Sequence, residues 1–218
     1  MSAGHTPSKQ LLKHIDLFSG IGGFSIGFER EGIETIAFVE SDAGCRTVLE
    51  SRWPSVPTWG DIRDFSGLPM SGHQRSWAAQ RAVRLEELAD VRPSWVVVEN
   101  SHHTWRRWVP ELRRRLYGCG FSSVCFRVRA SEVGAWHERA RAFVVAHADC
   151  EQLRKLSRWW SGPGREVAKE LAQSRDSAPG DLGMAYGLPN GAYRRHALGN
   201  AVYPPAAQLI ARGIRSVS

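Results

Sequence analysis

Cysteine is scarce in this sequence: its 218 residues hold four, Cys45, Cys119, Cys125 and Cys150, and no two form a C-x-x-C pair. That scatter excludes a disulfide framework and the common zinc-ligand spacings. A set built from His102, His103, His147 and Cys150 is conceivable, but its spacing fits no common ligand pattern, so reduced thiols and no metal are expected. Long apolar runs are also missing. Nothing approaches the roughly 20 residues of a membrane-spanning helix, and the opening MSAGHTPSKQLLK has no hydrophobic signal stretch. On this reading no membrane is involved and the expected compartment is the cytosol, so the protein is read as cytoplasmic. There is no internal repeat, which excludes a solenoid.

Acidic residues run short as well: 22 Asp and Glu face 29 Lys and Arg, for a net charge of +7. The excess is clustered, with Arg106, Arg107, Arg113, Arg114 and Arg115 in one segment and Arg127, Arg129, Arg139 and Arg141 in the next. This balance favours a polyanionic partner, although a solvated helix face would carry the same charges. Nine tryptophans add surfaces that could stack on bases or fill a core.

After a polar tail, residues 1–13, short apolar segments alternate with amphipathic ones, the pattern of an α/β sheet with crossover helices. Strands are predicted at His14–Ser19, Thr35–Glu40, Thr58–Ile62, Trp95–Glu99, Ser123–Arg129 and Ala142–His147. Helices are predicted at Gly23–Glu31, Ala43–Arg52, Trp77–Leu88, Trp105–Leu116 and Pro204–Arg215, the last opened by two prolines. One domain then covers residues 14–148 and is completed by 182–218. Residues 149–181, charged and containing WWSGPG and SAPGD, read as an inserted lobe or mobile loop.

Chemistry first shows in DLFSGIGGF, Asp16–Phe24, where an apolar strand runs into a Gly-rich turn and then a helix. Gly20, Gly22 and Gly23 let the backbone approach a ligand, and a helix N-terminus favours negative charge. Glu40 ends the next strand, where a carboxylate can hold ribose hydroxyls. On spacing alone the ligand could be NAD, FAD or S-adenosylmethionine.

The letters narrow this. FSGIGGF, Glu40, GDI (60–62), VVVEN (96–100), HERAR (137–141) and LGNAVYPP (198–205) resemble, in order, the motifs of DNA cytosine-5 methyltransferases. The resemblance implies a Rossmann-like S-adenosylmethionine-dependent methyltransferase fold. Phe18, Ser19, Gly20, Ile21, Gly22 and Gly23 would wrap the methionine part of the cofactor, Glu40 its ribose, and Asp61 with Ile62 its adenine. Asn200 and Ala201 would close that pocket. Glu99 would grip a cytosine flipped out of double-stranded DNA, with Arg139 and Arg141 holding the base and its phosphate. His137 stands where the family usually has Gln. Read singly, Glu99 could be a surface carboxylate, Asn200 a helix cap and the arginines strand-edge charges. Their joint order carries the functional reading.

One part of the pattern is absent. The family activates cytosine by adding a cysteine thiolate to C6, from a Pro-Cys loop after the fourth strand. The corresponding stretch, DIRDFSGLPMSGHQRSW, has Pro69 followed by Met70, and a thioether forms no such adduct. An apolar fourth strand is not evident either, so a reduced central sheet lacking it is expected. Three readings follow: an enzyme acting on a pre-activated or modified pyrimidine, a pseudo-methyltransferase that binds cofactor or DNA, or one half of a split enzyme completed by a second subunit. A groove beside the first strand would favour the third; a filled sheet would favour the first two. The short interval between HERAR and GNAV implies weak sequence specificity, with Arg154, Lys155, Arg158, Trp159, Trp160, Arg165 and Lys169 as candidate DNA contacts.

Overall fold

The computed structural model describes residues 12–65, 75–79, 93–174, 197 and 201–218. Seven strands form one sheet in the order β3-β2-β1-β4-β5-β7-β6. They are β1 Lys13–Leu17, β2 Glu34–Val39, β3 Thr58–Trp59, β4 Arg75–Ala79, β5 Trp95–Ser101, β6 Ser122–Arg129 and β7 Ala140–His147. Strands β3 to β5 run parallel, and β7 inserts antiparallel between β5 and β6. From β1 the chain builds outward to β3, then returns to lay β4 on the other flank of β1. That reversal opens a crevice beyond the carboxyl end of β1, where ligands of open α/β sheets bind.

Among the described residues the α-helices are α1 Gly23–Glu29, α2 Ala43–Arg52, α3 Trp105–Gly118, α4 Cys150–Ser161, α5 Pro163–Gln173 and α6 Pro204–Val217. Central strand β5 reads WVVVENS because neighbours cover both of its faces. Trp95 and Val97 join Phe24, Phe28, Phe143 and Ile210 under α1 and α6, while Val96 and Val98 join Ile15, Leu17, Val109 and Leu116 under α3. Asp42 and Asp149 cap α2 and α4, each accepting a main-chain N–H at 2.8 Å. Helices α1 and α6 pack closely because Gly27 has no side chain; a Cβ there would lie 2.5 Å from the Pro204 carbonyl oxygen.

The α/β, Rossmann-like architecture is as the sequence indicates, with one correction. The fourth strand is present: β4 pairs Lys13–Leu17 with Arg75–Ala79 on one side and Trp95–Val98 on the other. The sheet is reduced in strand length, with β3 only two residues long, rather than in strand number. Trp77–Ala79 therefore belong to a strand, not to the start of a helix; residues 80–88 of that predicted helix lie outside the described residues. No slot remains between β1 and β5 for a strand from a second chain.

The predicted lobe at 149–181 begins, over Cys150–Gln173, as two helices instead of a loop. Leu153, Leu156 and Leu171 enter the core, and Trp160 stacks on Phe126 at 4.2 Å between centroids. Trp159 packs against Gly164 and Gly213. This tryptophan pair fills the core face. Among the described residues no helix is long and apolar enough to cross a membrane.

Candidate cofactor and base pocket

The turn after β1 is bent by three left-handed residues, Phe18 (φ 56°), Gly20 (φ 55°) and Gly22 (φ 84°). Its glycines do different work. A Cβ on Gly20 would meet none of the described residues within 4 Å, so the turn leaves open space there. On Gly22 it would strike the Trp53 ring at 2.5 Å, and on Gly23 the Val202 carbonyl oxygen at 2.3 Å. The open side of Gly20 is a cradle for a ligand, whereas Gly22 and Gly23 let the turn seat on α2 and on the approach to α6. Ser19 turns inward, its Oγ donating to the Asp16 carbonyl at 2.6 Å. Ile21 is fully buried against Cys45 and Val48, and Phe18 packs half-buried at the rim.

Glu40 ties this turn to β2. Its Oε2 accepts the Gly20 N–H at 2.7 Å and its Oε1 the Asp42 N–H at 2.8 Å. Each carboxylate oxygen keeps a further acceptor site, so ribose hydroxyls fit there without displacing either bond. Arg46 pins the same loop by donating to the carbonyls of Glu40 and Ser41 at 3.0 and 2.7 Å. Asp61 follows β3, ion-paired with Arg63 and capping the short 3-10 turn that holds the half-buried Ile62. The open cradle, the charge-bearing acid and the neighbouring apolar rim fit S-adenosylmethionine.

Across the crevice, Glu99 is 2% exposed near the end of β5. Arg141, on the same face of neighbouring β7, places Nε 2.7 Å from Glu99 Oε1. The two atoms are not aligned for a hydrogen bond with one another, so both retain capacity for a third partner. Burial pushes the Glu99 carboxyl up to about 7, against the opposing pull of the Arg141 guanidinium. Arg139 lies half-buried just before β7; its N–H donates to His137 Nδ1 at 3.4 Å and its carbonyl accepts the Ala130 N–H. Ala201 packs half-buried against the Ile21 cluster. Asn200 and Met70 lie outside the described residues.

All four thiols stand away from Glu99. Cys119 and Cys150 flank the ends of β6 and β7 near Ser122 and His147, at the opposite edge of the sheet from Ser101 and Arg141. Cys125 projects from the middle of β6 on the face opposite Phe126 and Val128. Cys45 sits in the first turn of α2, buried, its thiol pushed up to about 12 chiefly by burial and then by Glu40. His102 and His103 are likewise separated by the length of β5 from His147 and Cys150, and no metal-binding cluster of His, Cys, Asp or Glu occurs among the described residues.

Asp16 is a further buried acid beneath the turn after β1. It is 1% exposed in an apolar strand, its Oδ2 accepts the Ser25 hydroxyl at 2.8 Å, and its Oδ1 has no partner. Burial raises its carboxyl to about 8, with Glu40 adding to the rise. Its signal in the sequence is an acid in the middle of HIDLF, where alternation assigns it to a buried face.

Comparison with known proteins agrees with this geometry. A family profile described as C-5 cytosine-specific DNA methylase matches residues 12–74. The chain is 27% identical over 118 residues to the type II methyltransferase M2.BsuMI of Bacillus subtilis, covering 44% of this chain and 30% of that protein. It is 26% identical over 163 residues to M.NgoPII of Neisseria gonorrhoeae, covering 62% and 47%. The chain thus spans about a third to a half of the length of these relatives. In fold it resembles a Spodoptera frugiperda DNMT2 variant, with a TM-score of 0.62 at 13% identity over 93% of this chain and 99% of that one. The S. pombe Dnmt2 methyltransferase gives 0.51 at 17%, covering 62% and 49%. From the bent turn after β1 to the matched N-terminal segment, these observations converge on a resemblance to C-5 cytosine-specific DNA methylases over residues 12–74, and S-adenosylmethionine is the cofactor that the crevice fits.

Proposed function

We propose that this protein binds S-adenosylmethionine at the β1–β2 edge and receives a flipped pyrimidine of double-stranded DNA between Glu99 and Arg141. Chemistry on unmodified cytosine would then need an activating group from outside the chain. The observation that carries the reading is the buried Glu99–Arg141 pair at the crevice, with all four thiols elsewhere.

The bound cofactor supplies an electrophilic methyl group. Glu99 carries a proton over much of the range below about pH 7. In that state one carboxyl oxygen donates to pyrimidine N3 while the other accepts from the exocyclic amine, which matches the edge of cytosine. Arg141 neutralises Glu99 when it ionises and offers its remaining N–H groups to the base or its phosphate. Phe18 and Ile62 exclude water from the rim. C5 of an unmodified cytosine still lacks the electron density that addition at C6 provides, so the substrate is a pre-activated or modified pyrimidine, or a second chain brings the nucleophile. Because β4 already occupies its place, such a partner would contribute a loop and not a strand.

Equilibrium binding tests this. A duplex with one mispaired cytosine, which lowers the penalty for extrusion, should bind more tightly than its fully paired counterpart. Glu99→Leu should erase the difference without changing cofactor affinity, while Glu99→Gln, which keeps a donor and an acceptor for the cytosine edge, should retain it. Equal binding of both duplexes by the unaltered protein would contradict the reading.

A further inference from the structure

The sheet face under α3 carries a cationic surface that neither the cofactor site nor the base pocket uses. Three separate segments build it. Arg127 and Arg129 stand two residues apart on β6, so they share a face, and both are exposed while Val128 between them is buried. His102 and His103 form the 3-10 turn directly after β5, and Arg106 and Arg107 open α3. Pairing brings the segments together, because Ser101 at the end of β5 lies opposite Arg141, which lies opposite Val128. The ring of His102 stacks on Trp105 at 5.9 Å, and the Arg106 guanidinium lies 5.8 Å above that same indole. Trp108 Nε1 donates to the Ser101 carbonyl at 3.2 Å, fixing the start of α3 against the strand end. Desolvation and then the fields of Arg127, His103 and Arg129 hold His102 below its usual pKa.

The charges here are not balanced internally. Among the described residues no carboxylate is ion-paired with Arg106, Arg107, Arg127 or Arg129. Glu132, close in sequence, accepts the Arg129 main-chain N–H instead. No acid lies in the first turn of α3, the reverse of what a helix dipole favours. Helix α4 contrasts with this: Arg154 and Arg158 share Glu151 at 3.3 and 2.9 Å. Positive charge gathered at the positive end of a helix is self-repelling until an anion neutralises it.

We propose that this flank, from Arg127 and Arg129 across to Arg106 and Arg107, is a track for the phosphate backbone of the duplex carrying the target base. The assignment rests on DNA being the partner. The track begins at the same end of the sheet as Arg141 but on the opposite face, since Arg141 pairs with Val128, whose side chain points away from those of Arg127 and Arg129. A backbone leaving the base pocket therefore crosses the strand ends to reach it. Helix α3 then extends it by about 20 Å towards Arg115, although Arg114 is paired there with Glu111 and Arg113 donates to Ser123, so the unbalanced charge is concentrated at the start of the helix.

Fluorescence anisotropy with a short labelled duplex, read across a salt series, tests the track on the full chain. Arg127→Ala with Arg129→Ala should lower the slope of log affinity against log salt by about two and weaken binding evenly across sequences. Arg127→Lys with Arg129→Lys should keep the slope. Arg154→Ala with Arg158→Ala removes the same charge from α4 and should leave it unchanged. Cofactor affinity, measured on the same preparations, should match the unaltered protein throughout and verifies folding. An unchanged slope in the β6 double variant overturns the track alone, as does an equal loss in the α4 variant or tighter binding of a structured RNA than of duplex DNA. Unaltered protein that binds cofactor but shows no salt-dependent DNA binding overturns both the track and the reading beneath it.

Discussion

Arg141 Nε lies 2.7 Å from Glu99 Oε1 across adjacent antiparallel strands, yet the carboxyl of Glu99 titrates near 7 because burial outweighs the attraction. A pair arranged only for stability would not hold a carboxylate at such a disadvantage. Glu99→Gln resembles the protonated carboxyl, so it should not lower stability: its unfolding midpoint in urea should match the parent at pH 5 and equal or exceed it at pH 8. The mispaired-cytosine preference should persist in this variant, because the amide keeps one donor and one acceptor. A clear fall in the midpoint at pH 8 would make the pair a structural bond.

Asp16 gives the same sign with a larger span. Its carboxyl moves from an ordinary value of 3.8 to about 8 on folding, so between those limits the folded chain holds a proton that the unfolded chain has released. The contribution of Asp16 is then greatest at the acid side of this window and declines as pH rises from about 4 to about 8, while buried His14, held down to about 3, contributes a rise up to about 6.5. Glu99 adds to the decline up to about 7. Urea melts of the parent and of Asp16→Asn across this range should therefore diverge, the variant gaining stability relative to the parent as pH rises. A difference between parent and variant that stays constant over the window would refute the assignment.

The glycines of the first turn should separate binding from folding. Gly20→Ala places a methyl in open space at a positive φ, so it should cost about 1 kcal/mol of stability while lowering S-adenosylmethionine affinity by blocking the cradle. Gly23→Ala drives a Cβ into the Val202 carbonyl, 2.3 Å away, and should cost about 1–3 kcal/mol or more. Thermal melts paired with cofactor titration discriminate the two. Equal stability losses would argue against the division of roles.

Glu40→Gln should act on both properties, since the amide nitrogen cannot accept the N–H of Gly20 or Asp42. A loss of about 1–3 kcal/mol in stability should come with a cofactor affinity reduced at least tenfold by calorimetry. Unchanged affinity would remove Glu40 from the ribose site.

Much of this site was legible because its parts are local. The Gly-rich turn, Glu40 and the boundaries of α2 follow from spacing, capping and short-range pattern. Strand β4 was not: RSWAA has little strand character of its own, and its place is set by β1 and β5 on either side, a tertiary effect that propensity does not contain. Helices α4 and α5 were obscured by polar residues and by glycine and proline between them, although Leu153, Leu156 and Leu171 supply their apolar contacts. The meeting of Glu99 with Arg141 depends on β7 inserting antiparallel beside β5, which no local signal announces. The sorting of the four thiols away from that pair follows from the same register.

Nucleoside mass spectrometry of DNA from a host without cytosine methylation of its own, expressing this chain alone, tests the central claim most directly. No 5-methylcytosine should rise above an empty-vector control while the purified protein binds S-adenosylmethionine. Accumulation of 5-methylcytosine that is abolished by replacing any one of Cys45, Cys119, Cys125 or Cys150 with serine would contradict it.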